Sequence, residues 1–204
     1  MAPVALVQSQ FVGQEVRLTV INRKIRSALL RQKPQVIGDG KTTVKNLIEQ
    51  ENGARRALQH VQTPYPVLDD SLVPLDLLQS TVVPAIGEVV ELSKSTMIRG
   101  GASMYEILPE VHSSYIQAVE SAIQGLGDGF FVVDLMVASY SQAATPDNYI
   151  FLEMNLAPAL TLYYSCRDSD HFPIVEDYLG PMLERVLGEH ISYQTPALHY
   201  SVAS

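Results

Sequence analysis

The sequence predicts an α+β fold, and three features carry that prediction. Residues 17–21 alternate polar and apolar side chains, and Asn22-Arg23-Lys24 reads as a hairpin turn into residues 25–30. Residues 113–126 repeat apolar side chains at helical spacing. Residues 130–138 and 149–154 read as two more strands joined by a polar loop. Hairpins mixed with a few helices belong to the α+β class.

The remaining elements follow in order. Residues 4–7 look like a strand, broken by Val12-Gly13-Gln14-Glu15. Ile37-Gly38-Asp39-Gly40 is a glycine-rich turn, and residues 43–51 then have helical spacing. Residues 52–78 are polar and dotted with prolines, which predicts loop plus a short helix. A short strand is expected over residues 89–92, then a loop with a glycine pair over residues 93–103. In the helix at 113–126, Tyr115, Ala118, Val119, Ala122, Ile123 and Leu126 share one face, and Gly127 stops it. Asp170 caps a last helix with Pro173 in its first turn. There Ile174, Val175, Tyr178, Leu179, Met182, Leu183 and Val186 are expected to face the core, with a kink at Pro181.

Composition narrows the function. The 204 residues suffice for one domain with a full core, and 47% hydrophobic against 18% charged residues is a globular balance. A net charge of −8 without a basic cluster argues against general nucleic-acid binding, yet permits ATP, whose charge metal ions and a few placed cations can offset. The single cysteine, Cys166, allows no intrachain disulfide and fits a reducing compartment. The first seven residues lack a basic leader, and no run reaches the length of a membrane span. The expectation is a soluble, cytoplasmic protein with no membrane partner.

The chemistry concentrates on a few polar residues. Asp134 interrupts an apolar strand, Glu153 lies near the end of the next, and Asn155 follows on the same face. A carboxylate in such a strand is costly unless it is paired or binds a metal. Three converging oxygen donors suit magnesium. The competing reading pairs Asp134 with a buried arginine and leaves Glu153 solvated. Arg17 and Arg31, at the two ends of the first hairpin, are either solvated edge residues or clamps for phosphate oxygens. Gly38-Asp39-Gly40-Lys41-Thr42 is no Walker A loop, because Gln35 stands where that motif needs its first glycine. Arg99-Gly100-Gly101 is a loop whose backbone could approach an anion. The histidines show no metal-ligand spacing, and no Gly-x-Ser-x-Gly elbow is present.

Taken in order, these pieces resemble the C-terminal part of ATP-grasp ligases. The matching segments are Val12-Gly13-Gln14-Glu15-Val16-Arg17, Leu30-Arg31, Val36-Ile37-Gly38-Asp39-Gly40-Lys41-Thr42-Thr43-Val44, Gly87-Glu88-Val89-Val90, Arg99-Gly100-Gly101, Glu110-Val111-His112, Val133-Asp134-Leu135 and Glu153-Met154-Asn155-Leu156-Ala157-Pro158. The subgroup most similar is cyanophycin synthetase and the glutathione synthetase module of the bifunctional bacterial enzyme. The resemblance spans residues 4–190; residues 191–204 form an unassigned tail. It implies an antiparallel sheet flanked by helices, one half of an ATP-grasp (glutathione synthetase ATP-binding-like) domain. On this reading the chain is an excised subdomain whose N-terminal partner subdomain, with its lysines and lid, is missing.

The resemblance also implies roles. Asp134, Glu153 and Asn155 would bind two Mg2+ ions, and Arg17 would contact the ATP phosphates. Leu6, Val7, Gln8 and Ser9 would run beneath adenine, and Gly100 and Gly101 would approach the nucleotide. Arg31 or Arg99 would stabilise the transferring group. The reaction implied is ATP-dependent carboxylate–amine ligation through an acyl phosphate. Asp134 is thus expected to serve the metal and not the core. Two departures stand out: Gln8-Ser9 replaces the usual hinge glutamates, and residues 93–99 lack the usual asparagines. They raise the alternative of a degenerate module that binds nucleotide or a partner without turnover.

Overall fold

The computed structural model describes residues 11–58, 65–156, 158–159, 163, 165–168 and 175–187. The strand expected at 4–7 and the cap at Asp170, with Pro173 and Ile174, lie outside the described residues.

The fold is α+β, built on one antiparallel sheet. Its strands are β1 (Gln14–Ile21), β2 (Lys24–Gln32), β5 (Ser103–Glu106), β6 (Phe130–Val137) and β7 (Tyr149–Asn155), in the order β5-β2-β1-β6-β7. A second ribbon pairs β3 (Gln35–Ile37) with β4 (Val89–Glu91). The β1–β2 turn is the one expected. Asn22 and Arg23 have φ of 49° and 65°, the two left-handed residues of a turn whose twist matches the strands it joins.

One face of the sheet holds the main core. Val16, Leu18 and Val20 of β1, Ala28 and Leu30 of β2, and Val133, Leu135 and Val137 of β6 pack together. Helix α3 (Ser113–Ala122) covers them through Tyr115 and Val119, and Ile123 follows. Each fully buried Val or Leu contributes about 1.5–3 kcal/mol, so this face anchors the fold. His112 caps α3, its Nδ1 accepting from the Ser114 N–H at 3.2 Å. The helix ends at Ala122, earlier than the periodicity suggests, and Ala122 is exposed. Ile123 and Leu126 still reach the core from a following turn, closed by Leu126 N–H to Ile123 O at 2.9 Å.

Helix α1 (Val44–Ala57) is longer than expected. Thr43 caps it, and it runs six residues past Glu51. Asn52 and Arg55 hide this last stretch from periodicity, because they are polar yet buried. Asn52 earns its place by bonding both backbone groups of Leu68, at 3.0 and 2.7 Å. Earlier on the same face, α1 packs Val44, Leu47 and Ile48 against Val36 and Leu92 of the ribbon region. The expected short helix is α2 (Leu75–Leu78).

Two strands escaped the sequence. β3 and β5 are three and four residues long, too short to show a period. The last helix, α4 (Gly180–Leu187), follows a widened helical turn over Val175–Leu179 that meets Pro181, where a backbone donor is lost. Its expected core face is corrected: Met182, Leu183 and Val186 are exposed, Val186 at 70%. The helix is tethered at its start, where the Tyr178 ring meets Phe130 at 5.9 Å and Arg26 holds Asp177 at 2.8 Å. Met182 borders a cleft with Asn22, Asp128 and Gly129. Among the described residues β7 is an edge strand, and Ile150, Phe151, Leu152 and Met154 are exposed along it. No helix among the described residues is long and apolar enough to cross a membrane.

Candidate functional site

The sheet face turned away from α3 carries polar side chains beside a small apolar cluster of Leu29, Met104, Tyr163 and Cys166. Alternation along β1 sends Glu15, Arg17 and Thr19 to that face while Val16, Leu18 and Val20 enter the core. Register then builds a row across three strands. Arg17 pairs with Asp134 on β6, and Asp134 pairs with Glu153 on β7. Directly opposed residues share a face, so the two carboxylates project to the same side, as the magnesium reading requires. Asn155 stands two residues further on the same face, opposite Val132. A β-bulge interrupts the pairing between Asp134 and Leu135, next to this row. Bulges re-aim neighbouring side chains and recur beside functional sites.

Burial grades along the row. Arg17 and Asp134 are 5% and 3% exposed, whereas Glu153 and Asn155 are exposed. Arg17 donates from Nε to Asp134 Oδ1 at 2.7 Å and from NH2 to Oδ2 at 2.6 Å, a bidentate charge-assisted pair. Burial acts to lower the Arg17 pKa, but the bond and charge of Asp134 outweigh it and leave the pKa raised. The pairing of Asp134 with a buried arginine, weighed as the competing reading, is therefore present. The expectation that Asp134 has no part in the core is corrected, since it neutralises the buried Arg17. No partner takes the Arg17 NH1 group among the described residues. Beside the pair, the Tyr163 hydroxyl and Thr19 Oγ1 lie 2.6 Å apart, and burial pushes Tyr163 up to about 12.

Arg31 bonds Glu15, its cross-strand partner, at 2.6 Å. These two residues, with Gly13, Thr96 and Met136, line a cleft of about 220 Å³ on the flank of the row. The loop preceding the glycine pair thus borders the candidate face through Thr96. Arg99 is exposed in a short helical turn, Ile98–Gly100. The amides of Gly100 and Gly101 donate within that turn, to Met97 O and Ile98 O, both at 2.9 Å. Gly101 needs its φ of 88°, and a Cβ on Gly100 would meet Ser95 Oγ at 2.0 Å. Leu6, Val7, Gln8 and Ser9 lie outside the described residues.

The Gly38-Asp39-Gly40 turn is tied to the loop at residues 84–88. Gly38 N–H donates to Glu88 O at 2.8 Å and Gly40 N–H to Pro84 O at 3.2 Å, so these donors are consumed. Asp39 accepts from Thr42 Oγ1 and N–H, both at 2.7 Å, and from the Lys41 N–H at 3.0 Å. The Thr42 bonds hold the Asp39 carboxyl at about 2, below its usual range. A folded pKa below the unfolded one gives stability that is complete above about pH 4 and lost as pH falls toward 2. Asp39→Asn should therefore lose stability at neutral pH and lose less further on acidification across that window. Urea titrations at pH 7 and pH 3 check the slope.

Magnesium takes oxygen donors and keeps part of its shell for water or phosphate. Asp134, Glu153 and Asn155 fit that demand: three oxygen-bearing side chains on one sheet face, two of them solvent-accessible. Among the described residues no group of three His, Cys, Asp or Glu is arranged for a metal. Cys166 is buried, and burial pushes its thiol up, which suits an inert side chain. The residues missed in sequence are Tyr163, Arg55 and Arg167; the single local signal was Glu51 four positions before Arg55 on one helix.

No protein-family model matches the chain. The glutathione biosynthesis bifunctional protein GshAB of Streptococcus thermophilus is 24% identical over 189 residues, covering 89% of this chain and 25% of its own. That of Lactiplantibacillus plantarum is 25% identical over 170 residues, covering 76% of this chain. The crystal structure of a bifunctional glutathione synthetase from Pasteurella multocida superposes with a TM-score of 0.69 at 22% identity, over 86% of this chain and 25% of that one. The chain has the fold of the matching quarter of that structure. It spans about a quarter of the length of the curated relatives it matches.

Proposed function

We propose that this chain is the magnesium- and phosphate-holding half of an ATP-dependent carboxylate–amine ligase of the ATP-grasp class. The observation that carries the reading is the Arg17–Asp134–Glu153 row, with Asn155 beside it on one open face. Similarity over most of the chain to bifunctional glutathione biosynthesis proteins supports it. Bound magnesium would neutralise charge on the ATP phosphates and hold them in line for transfer to a carboxylate. Asp134, Glu153 and Asn155 would hold the metal. Arg17 fixes the rotamer of Asp134 and keeps NH1 for a phosphate oxygen. Arg31, held by Glu15, flanks the same face for the transferring group. No residue needs to act as a covalent nucleophile.

One observation favours the second reading, a module that binds nucleotide without turnover. The amides of Gly100 and Gly101 are spent inside their own turn, so that loop presents no donor pair to an anion. ADP release by the full-length ligase separates the two readings.

The isolated chain is expected to bind ATP weakly and only with magnesium. ATP-grasp sites close the nucleotide between two subdomains, and a net charge of −8 gives ATP no general attraction. Calorimetric titration with and without Mg2+ tests this. Equal binding without metal would sink the metal assignment. A dissociation constant on the order of 1 μM or better would show a complete site in the chain alone.

A further inference from the structure

On the other side of the sheet, two arginines share one carboxylate. Tyr105 pairs with Leu30, and Leu30 with Val16, so Ser103 and Tyr105 project to the face opposite Arg17 and Asp134. There α1, β3 and β5 border a cleft of about 340 Å³, walled by Lys33, Glu51, Arg55, Ser103, Tyr105 and Arg167. Clefts of this size suit small molecules.

Arg55 is 2% exposed and fully committed. Its Nε donates to Glu51 at 2.8 Å, NH1 to Pro66 O at 3.2 Å and NH2 to Gly101 O at 2.8 Å. Arg167 uses NH1 and NH2 on the same Glu51 and NH1 on Ser103 Oγ at 3.2 Å. Both guanidinium carbons lie over the Tyr65 ring, at 5.6 and 5.8 Å from its centre. Buried cations need compensation, and one carboxylate between two leaves positive charge over. The balance shows in the arginines themselves. Burial lowers the Arg55 pKa further than Glu51 restores it, and Arg167 adds to the fall. At Arg167, burial is outweighed by Glu51. Among the described residues Arg167 Nε has no partner, and Lys33, at the rim, pairs with the exposed Glu91 alone, at 3.3 Å.

We propose that this cleft binds a small molecule through an oxyanion, a carboxylate or a phosphate, gripped by Arg167 with Lys33 at the mouth. Arg55 and Tyr65 hold Arg167 in place. The site is separate from the proposed metal row and stands whether or not that row binds ATP.

Calorimetric titration of the 204-residue chain with inorganic phosphate, and separately with glycylglycine, tests it. Saturable binding with a dissociation constant on the order of 1 mM is expected for at least one probe. Arg167→Gln should weaken it about tenfold or more, the loss of one charge-assisted contact. Lys33→Gln, at an exposed position, should weaken it without disturbing the fold, and decides the matter if Arg167→Gln does not fold. Binding of phosphate alone assigns a phosphorylated ligand, of glycylglycine alone a carboxylate, and of both the shared oxyanion. No saturable binding of either probe, or unchanged affinity in folded Arg167→Gln or in Lys33→Gln, overturns the proposal.

Discussion

Asp134→Leu should lower the unfolding free energy by about 3–5 kcal/mol, the usual cost of stripping one partner from a buried ion pair. Asp134 and Arg17 are both nearly inaccessible, and Asp134 takes both guanidinium bonds at 2.6–2.7 Å. Leucine fills similar space but leaves the guanidinium buried with no carboxylate bonded to it and, among the described residues, only the more distant Glu15 to offset its charge. Arg17→Met should cost a similar amount by stranding the carboxylate. The double variant should recover most of the loss, since well-packed apolar pairs often match or exceed the ion pair they replace. Urea denaturation of the two singles and the double closes the cycle. Singles that each lose under about 1 kcal/mol would mean the pair is hydrated and is not what holds the middle of the sheet.

Glu153→Gln should separate chemistry from folding. Glu153 is exposed, so the change should move stability by no more than about 0.5 kcal/mol. In the ligase proposed above the same change should lower turnover by about 100-fold or more, because an amide would lose the charge proposed to hold a hard cation against phosphate. Stability and ADP release are measured on one preparation. Near-native ADP release would remove Glu153 from the metal set. Equal failure of folding and activity would show that the residue is structural.

How much the sequence revealed follows from physical range. The β1–β2 hairpin was legible because Asn22-Arg23 can adopt left-handed conformations between alternating strands. That Asp134 and Glu153 lie on neighbouring strands with their carboxylates on one side was legible because a single polar loop joins the two strands; their direct opposition was not, since a bulge beside Asp134 sets the register. The ion pair was named only in general terms, because Arg17 and Asp134 stand 117 positions apart and no local pattern joins them. The end of α1 was hidden by buried polar side chains whose partners are backbone groups elsewhere in the chain. Likewise, the apolar stripe on α4 was real but said nothing of what lies against it.

The edge of the sheet at β7 has a consequence for handling the protein. Among the described residues nothing pairs with the outer side of β7, and such a strand with exposed Ile150, Phe151, Leu152 and Met154 is a template on which a second chain could extend the sheet. Its sequence, YIFLEMN, contains a single charge, and that charge is Glu153. The carboxylate assigned to the cation is thus also the one electrostatic guard against strand-to-strand self-association. Filling the site with metal or neutralising it by mutation disarms the guard, so concentration sets how much of any observed loss belongs to chemistry and how much to assembly.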